Sequence, residues 1–383
     1  MEEVVKVDVA EVKNFLRQLS LQVSDLVHGL ERHIFIGNIL SNLPDDQRFE
    51  LKGILNSFLR KMYDNSASDI DLGGFGSQGK VWYRIFGAKR PDDSLGTFTS
   101  DESSFLIQNI LSERQRQFFY DKRNLDFSYM LTDGDRIFRF RADAYFDLDE
   151  VALNMRAVND VVLPIGEFVF NLNVLGILSL AHTKEGLILI TGITGSGKST
   201  TLDSIIDMNN HTVNGHVVII GSPIEYVHKS DKCIVRHREV GRDTLSFKEG
   251  AIEALRQDPD IVMIAEMRDS ETILTALEIT DSGHKVFSTL HTASAVESID
   301  RIVAEVPAIE QERVWQRLGD VLQCVISQKL VPSLDGKRVL AKEVLVGSPS
   351  VKAAIKNKNT SEIYQMIAEG SELGMITMEQ DLK

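Results

Sequence analysis

The sequence predicts an α/β chain in two parts, an antiparallel α+β part followed by one built on a mostly parallel sheet. Three observations carry that reading. From residue 186 onward, strand patterns at 187–190, 216–220, 261–264 and 285–289 alternate with helical stretches, so successive strands need crossovers and pair in parallel. Before residue 160, strand patterns follow one another across turn signals instead. The third is the run Gly192-Ile193-Thr194-Gly195-Ser196-Gly197-Lys198-Ser199-Thr200, which fits G-x-x-x-x-G-K-[ST]. It stands between an apolar strand, Leu187-Ile188-Leu189-Ile190, and a helix-spaced stretch, Thr201-Leu202-Asp203-Ser204-Ile205-Ile206.

Taken from the start, Met1-Glu2-Glu3-Val4-Val5-Lys6 has neither the basic start nor the apolar core of a signal peptide, so a cytoplasmic chain is expected. Val12-Lys13-Asn14-Phe15-Leu16-Arg17-Gln18-Leu19 repeats apolar positions at three and four residues, and residues 1–54 are expected as an amphipathic helical extension. Asn65-Ser66-Ala67-Ser68-Asp69 breaks that period. Ile70-Asp71-Leu72 and Val81-Trp82-Tyr83-Arg84-Ile85-Phe86 then have strand character. Leu125-Asp126-Phe127-Ser128-Tyr129-Met130 and Ile137-Phe138-Arg139-Phe140-Arg141-Ala142 form a further pair about the turn Asp133-Gly134-Asp135. An α+β domain over 55–158 follows, and the joint falls where Asp160, Pro164 and Gly166 interrupt both periods. Residues 159–185 are expected as linker and packing helix. Their uncharged stretch 168–183 is short for a membrane span and carries Asn171, Asn173 and His182.

Composition narrows the class. The 383 residues suffice for two cores, and 43% apolar with 26% charged residues is ordinary for a globular protein. A net charge of −14 argues against general nucleic-acid affinity. Cys233 and Cys324 build neither a disulfide framework nor a four-thiolate zinc knuckle, and both read as small core residues.

The glycine run is a phosphate cradle. Its glycines let backbone N–H groups face inward, and the following helix N-terminus favours an anion. The expected nucleotide-binding set is Gly192, Thr194, Gly195, Ser196, Gly197, Lys198, Ser199 and Thr200. Lys198 would reach the β- and γ-phosphates, and the Ser199 hydroxyl would ligate Mg²⁺. Ile261-Val262-Met263-Ile264-Ala265 ends in Glu266, an acid at the end of a buried strand, placed as a Walker B carboxylate. A second acid, Glu225, follows the strand at 216–220. His284 and His291 flank one strand seven residues apart, as structural histidines or as polar links to a phosphate. Arg136, Arg139, Arg141 and Arg156 form the last group. Arg139 and Arg141 share one strand face while Phe138 and Phe140 share the other. That face is either a solvated charged surface or a source of cations for a neighbouring subunit's γ-phosphate.

These boxes resemble those of the secretion-superfamily hexameric ATPases, and within them the type IV pilus retraction (PilT/PilU) branch. The likeness runs through the loop at 192–200, the aspartate-box region at 221–228, Ala265-Glu266-Met267-Arg268-Asp269 and the histidine box at 283–292. Arg238-Glu239-Val240, Ala254-Leu255-Arg256-Gln257-Asp258-Pro259-Asp260, Val325-Ile326-Ser327-Gln328 and Leu373-Gly374-Met375 are similar too. The resemblance implies a PAS-like α+β N-terminal domain joined to a RecA-like ATPase domain over 186–383 with a helical C-terminal part. It implies a ring of six copies, ATP and Mg²⁺ as cofactors, an inner-membrane pilus platform protein as partner, and a paralogous motor ATPase as another. It makes Glu225 the water-activating carboxylate and Glu266 the Walker B acid, with Ser199 and Glu266 at the metal. His284 and His291 would couple nucleotide to shape, and Arg139, Arg141 or Arg156 would complete a site. Absence of a four-cysteine insertion favours retraction over extension. Gly221 and Ser222 stand where the aspartate box has two acids, Ala265 where Walker B has glycine, and Ser350-Val351-Lys352-Ala353-Ala354-Ile355 where the branch has its own signature. A poorly hydrolysing accessory subunit and a type II or IV secretion motor are the alternatives.

Overall fold

The computed structural model describes residues 9–134, 136–158, 161–333 and 338–383, without the side chains of 9–12. Residues 1–6, the Val12 side chain, Asp135 and Asp160, on which some expectations rest, lie outside that description. The chain divides into two compact units, Met1–Asp160 and Val161–Lys383.

The first unit opens with three helices, Val9–Ser20, Gly29–Asn42 and Asp45–Asp64. Six strands follow: β1 (Ala67–Gly73), β2 (Trp82–Ile85), β3 (Ala88–Pro91), β4 (Asn124–Asp133), β5 (Arg136–Asp147) and β6 (Glu150–Val158). They form one antiparallel sheet in the order β3-β2-β1-β6-β5-β4. Period-two alternation explains its two faces. Leu125, Phe127, Tyr129 and Leu131 of β4 and Phe140, Ala142 and Ala144 of β5 point into the core. Leu16, Leu40, Leu51, Leu55 and Phe58 from the three helices belong to that same core. The boundary expected at residue 54 thus falls inside the helix Asp45–Asp64, whose buried face runs on to Met62. Two further helices, Ser100–Asn109 and Glu113–Lys122, start on reciprocal caps from Thr99 and Ser112.

The second unit holds β7 (Gly186–Thr191), β8 (Gly215–Gly221), β9 (Cys233–Glu239), β10 (Ile261–Ile264), β11 (Lys285–Leu290), β12 (Leu322–Pro332) and β13 (Arg338–Val346). Their order is β13-β12-β7-β11-β10-β8-β9, parallel except for the β12–β13 pair. Every residue of β7 is buried, because helices cover both faces of the sheet. Leu187 and Leu189 join the core under the helices Ser270–Asp281, Ala295–Glu305 and Ala308–Val321. Ile188 and Ile190 join the opposite core, with Leu202, Ile205 and Ile206 of the helix Lys198–Thr212. The uncharged stretch at 168–183 yields a short helix, Leu172–Leu178, that buries Val174 and Leu178. Among the described residues, no helix is long and apolar enough to cross a membrane.

Candidate nucleotide-binding site

The cradle begins where β7 ends. Gly195 and Gly197 have φ of 80° and 87°, the left-handed region that side-chain-bearing residues avoid. Gly192 is required for space, since a Cβ there would stand 2.4 Å from Ser196 Oγ and 2.5 Å from the Gln328 carbonyl oxygen. Gly197 opens the helix Lys198–Thr212 with no side chain capping it, so its first-turn N–H groups suit a bound anion. Lys198 Nζ donates to the carbonyl oxygens of Gly192 at 2.8 Å and Ile193 at 3.2 Å, folding back along the loop. Burial pulls its pKa below the usual lysine range, against the opposing pull of Glu266 and Glu225. Thr194, Gly195 and Thr200 are exposed on the rim, and Ser199 is half-buried beside Lys198.

Strand β12 supports the loop through residues that motif reading did not assign to the site. Gln328 Nε2 donates to the Ser196 carbonyl at 2.9 Å, and Thr201 Oγ1 donates to Gln328 Oε1 at 3.0 Å. Ser327 Oγ lies 2.7 Å from Thr191 Oγ1. The text around Gln328 resembles the retraction branch, but only strand order puts β12 beside β7.

Parallel pairing brings the acids to the same sheet edge, beyond the C-terminal ends of the strands. Glu266 follows β10, and its Oε1 lies 2.7 Å from Arg268 Nε and 3.0 Å from His291 Nε2. The Arg268 pKa is raised, chiefly by that hydrogen bond. Glu225 is exposed on the loop after β8, with Ile224 and His228 buried near it. His284 is not brought into the site. It precedes β11 at the opposite sheet edge, about 20 Å from His291 at the rise of an extended strand. There its Nδ1 lies 2.9 Å from Ser282 Oγ.

The residues fit a nucleoside triphosphate. Ser196 Oγ is buried in the cradle with no hydrogen-bond partner, and the helix N-terminus carries donors for phosphate oxygens. Ser199 and Glu266 would hold Mg²⁺, whose chemistry when bound is to neutralise phosphate charge.

In the first unit Arg139, Arg141 and Arg156 stand on the sheet face opposite the core, whereas Arg136, at the exposed start of β5, shares the parity of Phe140. Cross-strand register aligns Ser128, Arg141, Arg156, Asp69, Arg84 and Lys89 in one row, one residue from each strand. Asp69 is the buried anchor of that row. Its Oδ1 accepts from Arg156 Nε at 2.8 Å, and its Oδ2 accepts from Ser68 Oγ at 2.6 Å and lies 3.5 Å from Arg84 Nε. Burial pushes the Asp69 pKa up, but the Ser68 hydrogen bond and the two guanidinium groups outweigh it and hold it below the usual range. Arg141 and Arg156 are exposed, and Arg139 is half-buried two residues along β5 on the same face.

Comparison with known proteins identifies the family. The family described as type II/IV secretion system protein matches residues 45–373. The type IV pilus retraction ATPase PilT of Pseudomonas aeruginosa is 41% identical over 282 residues, 73% of this chain and 79% of that protein. The type IV pilus ATPase PilU of the same organism is 32% identical, covering 85% of this chain and 82% of its own. A crystal structure of the pilus retraction motor PilT with bound ADP superposes at a TM-score of 0.74, with 36% identity and 85% and 95% of the two chains covered. The chain belongs to the type II/IV secretion system protein family, in its pilus retraction ATPase branch.

Proposed function

We propose that this protein is a motor ATPase that forms a six-membered ring and couples hydrolysis of Mg²⁺-bound ATP to retraction of a type IV pilus. The observation that carries this reading is one sheet edge holding the Lys198 cradle, Glu225 and the Glu266–His291 pair in a chain 41% identical to a pilus retraction ATPase. Glu225 would activate the attacking water, while Lys198 and the helix N-terminus bind phosphate. Arg139, Arg141 and Arg156 would bring cations to that phosphate from the first unit. A ring at the cytoplasmic side of the inner membrane would reach the membrane only through a platform protein, and a paralogous motor would be a second partner.

The test is ATP hydrolysis per subunit over a dilution series with Mg²⁺, alongside restoration of twitching in cells lacking the chain. A per-subunit rate that rises with concentration, together with restored twitching, supports an assembling motor. A specific observation favours one other reading, an accessory subunit that binds ATP and turns it over slowly. Gly221 is buried, and a Cβ there would stand 2.8 Å from Ile224 Cδ1 and 3.1 Å from the Pro223 carbonyl oxygen, so the loop is built around the lost side chain. Tight binding with negligible turnover at every concentration would select that reading.

A further inference from the structure

Glu225 stands on the stretch between β8 and β9, which has no regular secondary structure. A general base works only when held in place, since misplacement by about 1 Å costs about a hundredfold in rate. Asn210 and His211 of the helix Lys198–Thr212 hold its far end at Lys229 and Asp231, and three contacts among the described residues lie closer to Glu225. Ile224 N donates to Glu239 Oε2 at 3.3 Å, and His228 N donates to His237 Nε2 at 3.0 Å. The third is made by the His228 ring, whose Nε2 lies 3.2 Å from Asp203 Oδ1.

The His228 side chain is wholly enclosed. It lies 6.1 Å from the His237 ring at 8° and meets the Tyr226 ring edge-on at 4.6 Å. Asp203 belongs to the helix Lys198–Thr212, and Asp207, one turn on, stands 4.0 Å from His228 Nδ1. The contact therefore joins a residue three positions from Glu225 to one five positions from Lys198. A buried polar pair of this kind is directional and costly to break, so it transmits displacement better than apolar packing.

We propose that His228 and Asp203 are positioning residues that tie the Glu225 loop to the helix carrying Lys198 and Ser199, so that phosphate binding at the helix N-terminus sets the Glu225 carboxylate. Neither side chain need touch nucleotide. The inference rests on the proposed role of Glu225.

The test uses the full chain with Asp203→Asn, which keeps the size of the side chain, and His228→Gln as a second variant. Both are expected to lower kcat about tenfold or more while KM and the affinity for a fluorescent ATP analogue stay within about twofold. Placed in a Glu225→Gln background, Asp203→Asn is expected to cause no further loss, because it acts through that carboxylate. A second readout is independent of turnover. Adding a non-hydrolysable ATP analogue should slow amide exchange over residues 222–228 in the wild-type chain and not in the two variants. Wild-type kcat in both variants, or nucleotide-induced protection that survives in both, overturns the inference. If Glu225→Gln hydrolyses ATP as well as wild type, the role of Glu225 fails instead.

Discussion

His291 Nε2 and Glu266 Oε1 lie 3.0 Å apart across the ends of the neighbouring strands β11 and β10. Arg268 Nε reaches the same oxygen at 2.7 Å. The carboxylate is thus aimed by one group from its own loop and one from the next strand. Its position depends on the pairing of β10 with β11 as well as on its own loop.

His291→Ala is therefore expected to leave nucleotide affinity nearly unchanged and to lower kcat about tenfold, or about 1.4 kcal/mol of barrier. Steady-state kinetics beside an equilibrium binding titration would check this. A weakened affinity with unchanged kcat would place His291 in binding instead.

Lys198→Ala should abolish nucleotide binding, because the cradle loses its only cation among the loop residues 192–200. Glu225→Gln should retain binding and lose at least about a hundredfold in hydrolysis. Calorimetric titration followed by single-turnover hydrolysis separates the two.

Ser222 is exposed, whereas Gly221 is enclosed by Ile224 and Pro223. Ser222→Asp should be tolerated and should raise turnover if the missing acid limits it. Gly221→Glu should destabilise the fold by about 1–3 kcal/mol through overpacking. Thermal melts with parallel rate measurements distinguish these outcomes.

Asp69→Asn should release Arg156 and Arg84 and cost about 1–3 kcal/mol at neutral pH, since a buried charged acceptor is lost. The folded-state pKa of Asp69 lies below the unfolded value, so this contribution is present above the unfolded pKa and fades as pH falls through the folded one. Denaturant titrations of wild type and variant should converge in acid. In ATPase assays, mixing Arg156→Ala with Lys198→Ala chains should restore activity if the two units serve different copies' sites.

Lys285 is fully buried on β11, with Nζ donating to the carbonyl oxygens of Ile177 at 2.5 Å, Thr183 at 2.8 Å and Ser179 at 3.1 Å. Burial pulls its pKa down to about 7. Between that value and the unfolded lysine pKa the unfolded chain binds more protons, so stability should rise with pH, by at most about 1.4 kcal/mol per unit. Lys285→Met should remove that slope between pH 7 and about pH 10. An unchanged slope in the variant would refute it.

What the sequence determined by itself was local in physical origin. The phosphate loop is contiguous text, and its glycines and lysine need only the strand and helix on either side. Alternation in β4 and β5 likewise marked Phe140 as core and Arg139 and Arg141 as the outer face. Tertiary structure decided what long-range pairing decides. Strand order alone set His291 at Glu266 and left His284 at the far edge, although both flank β11 alike in the sequence. It also put Gln328 under Ser196, and it enclosed Asp69 between two arginines, one from β2 and one from β6. Residues 1–54 read as an extension because amphipathic periodicity says which face is buried and not against what. Motif chemistry is encoded by neighbours along the chain, whereas these contacts depend on pairing energy summed over segments far apart in it, which no short window contains.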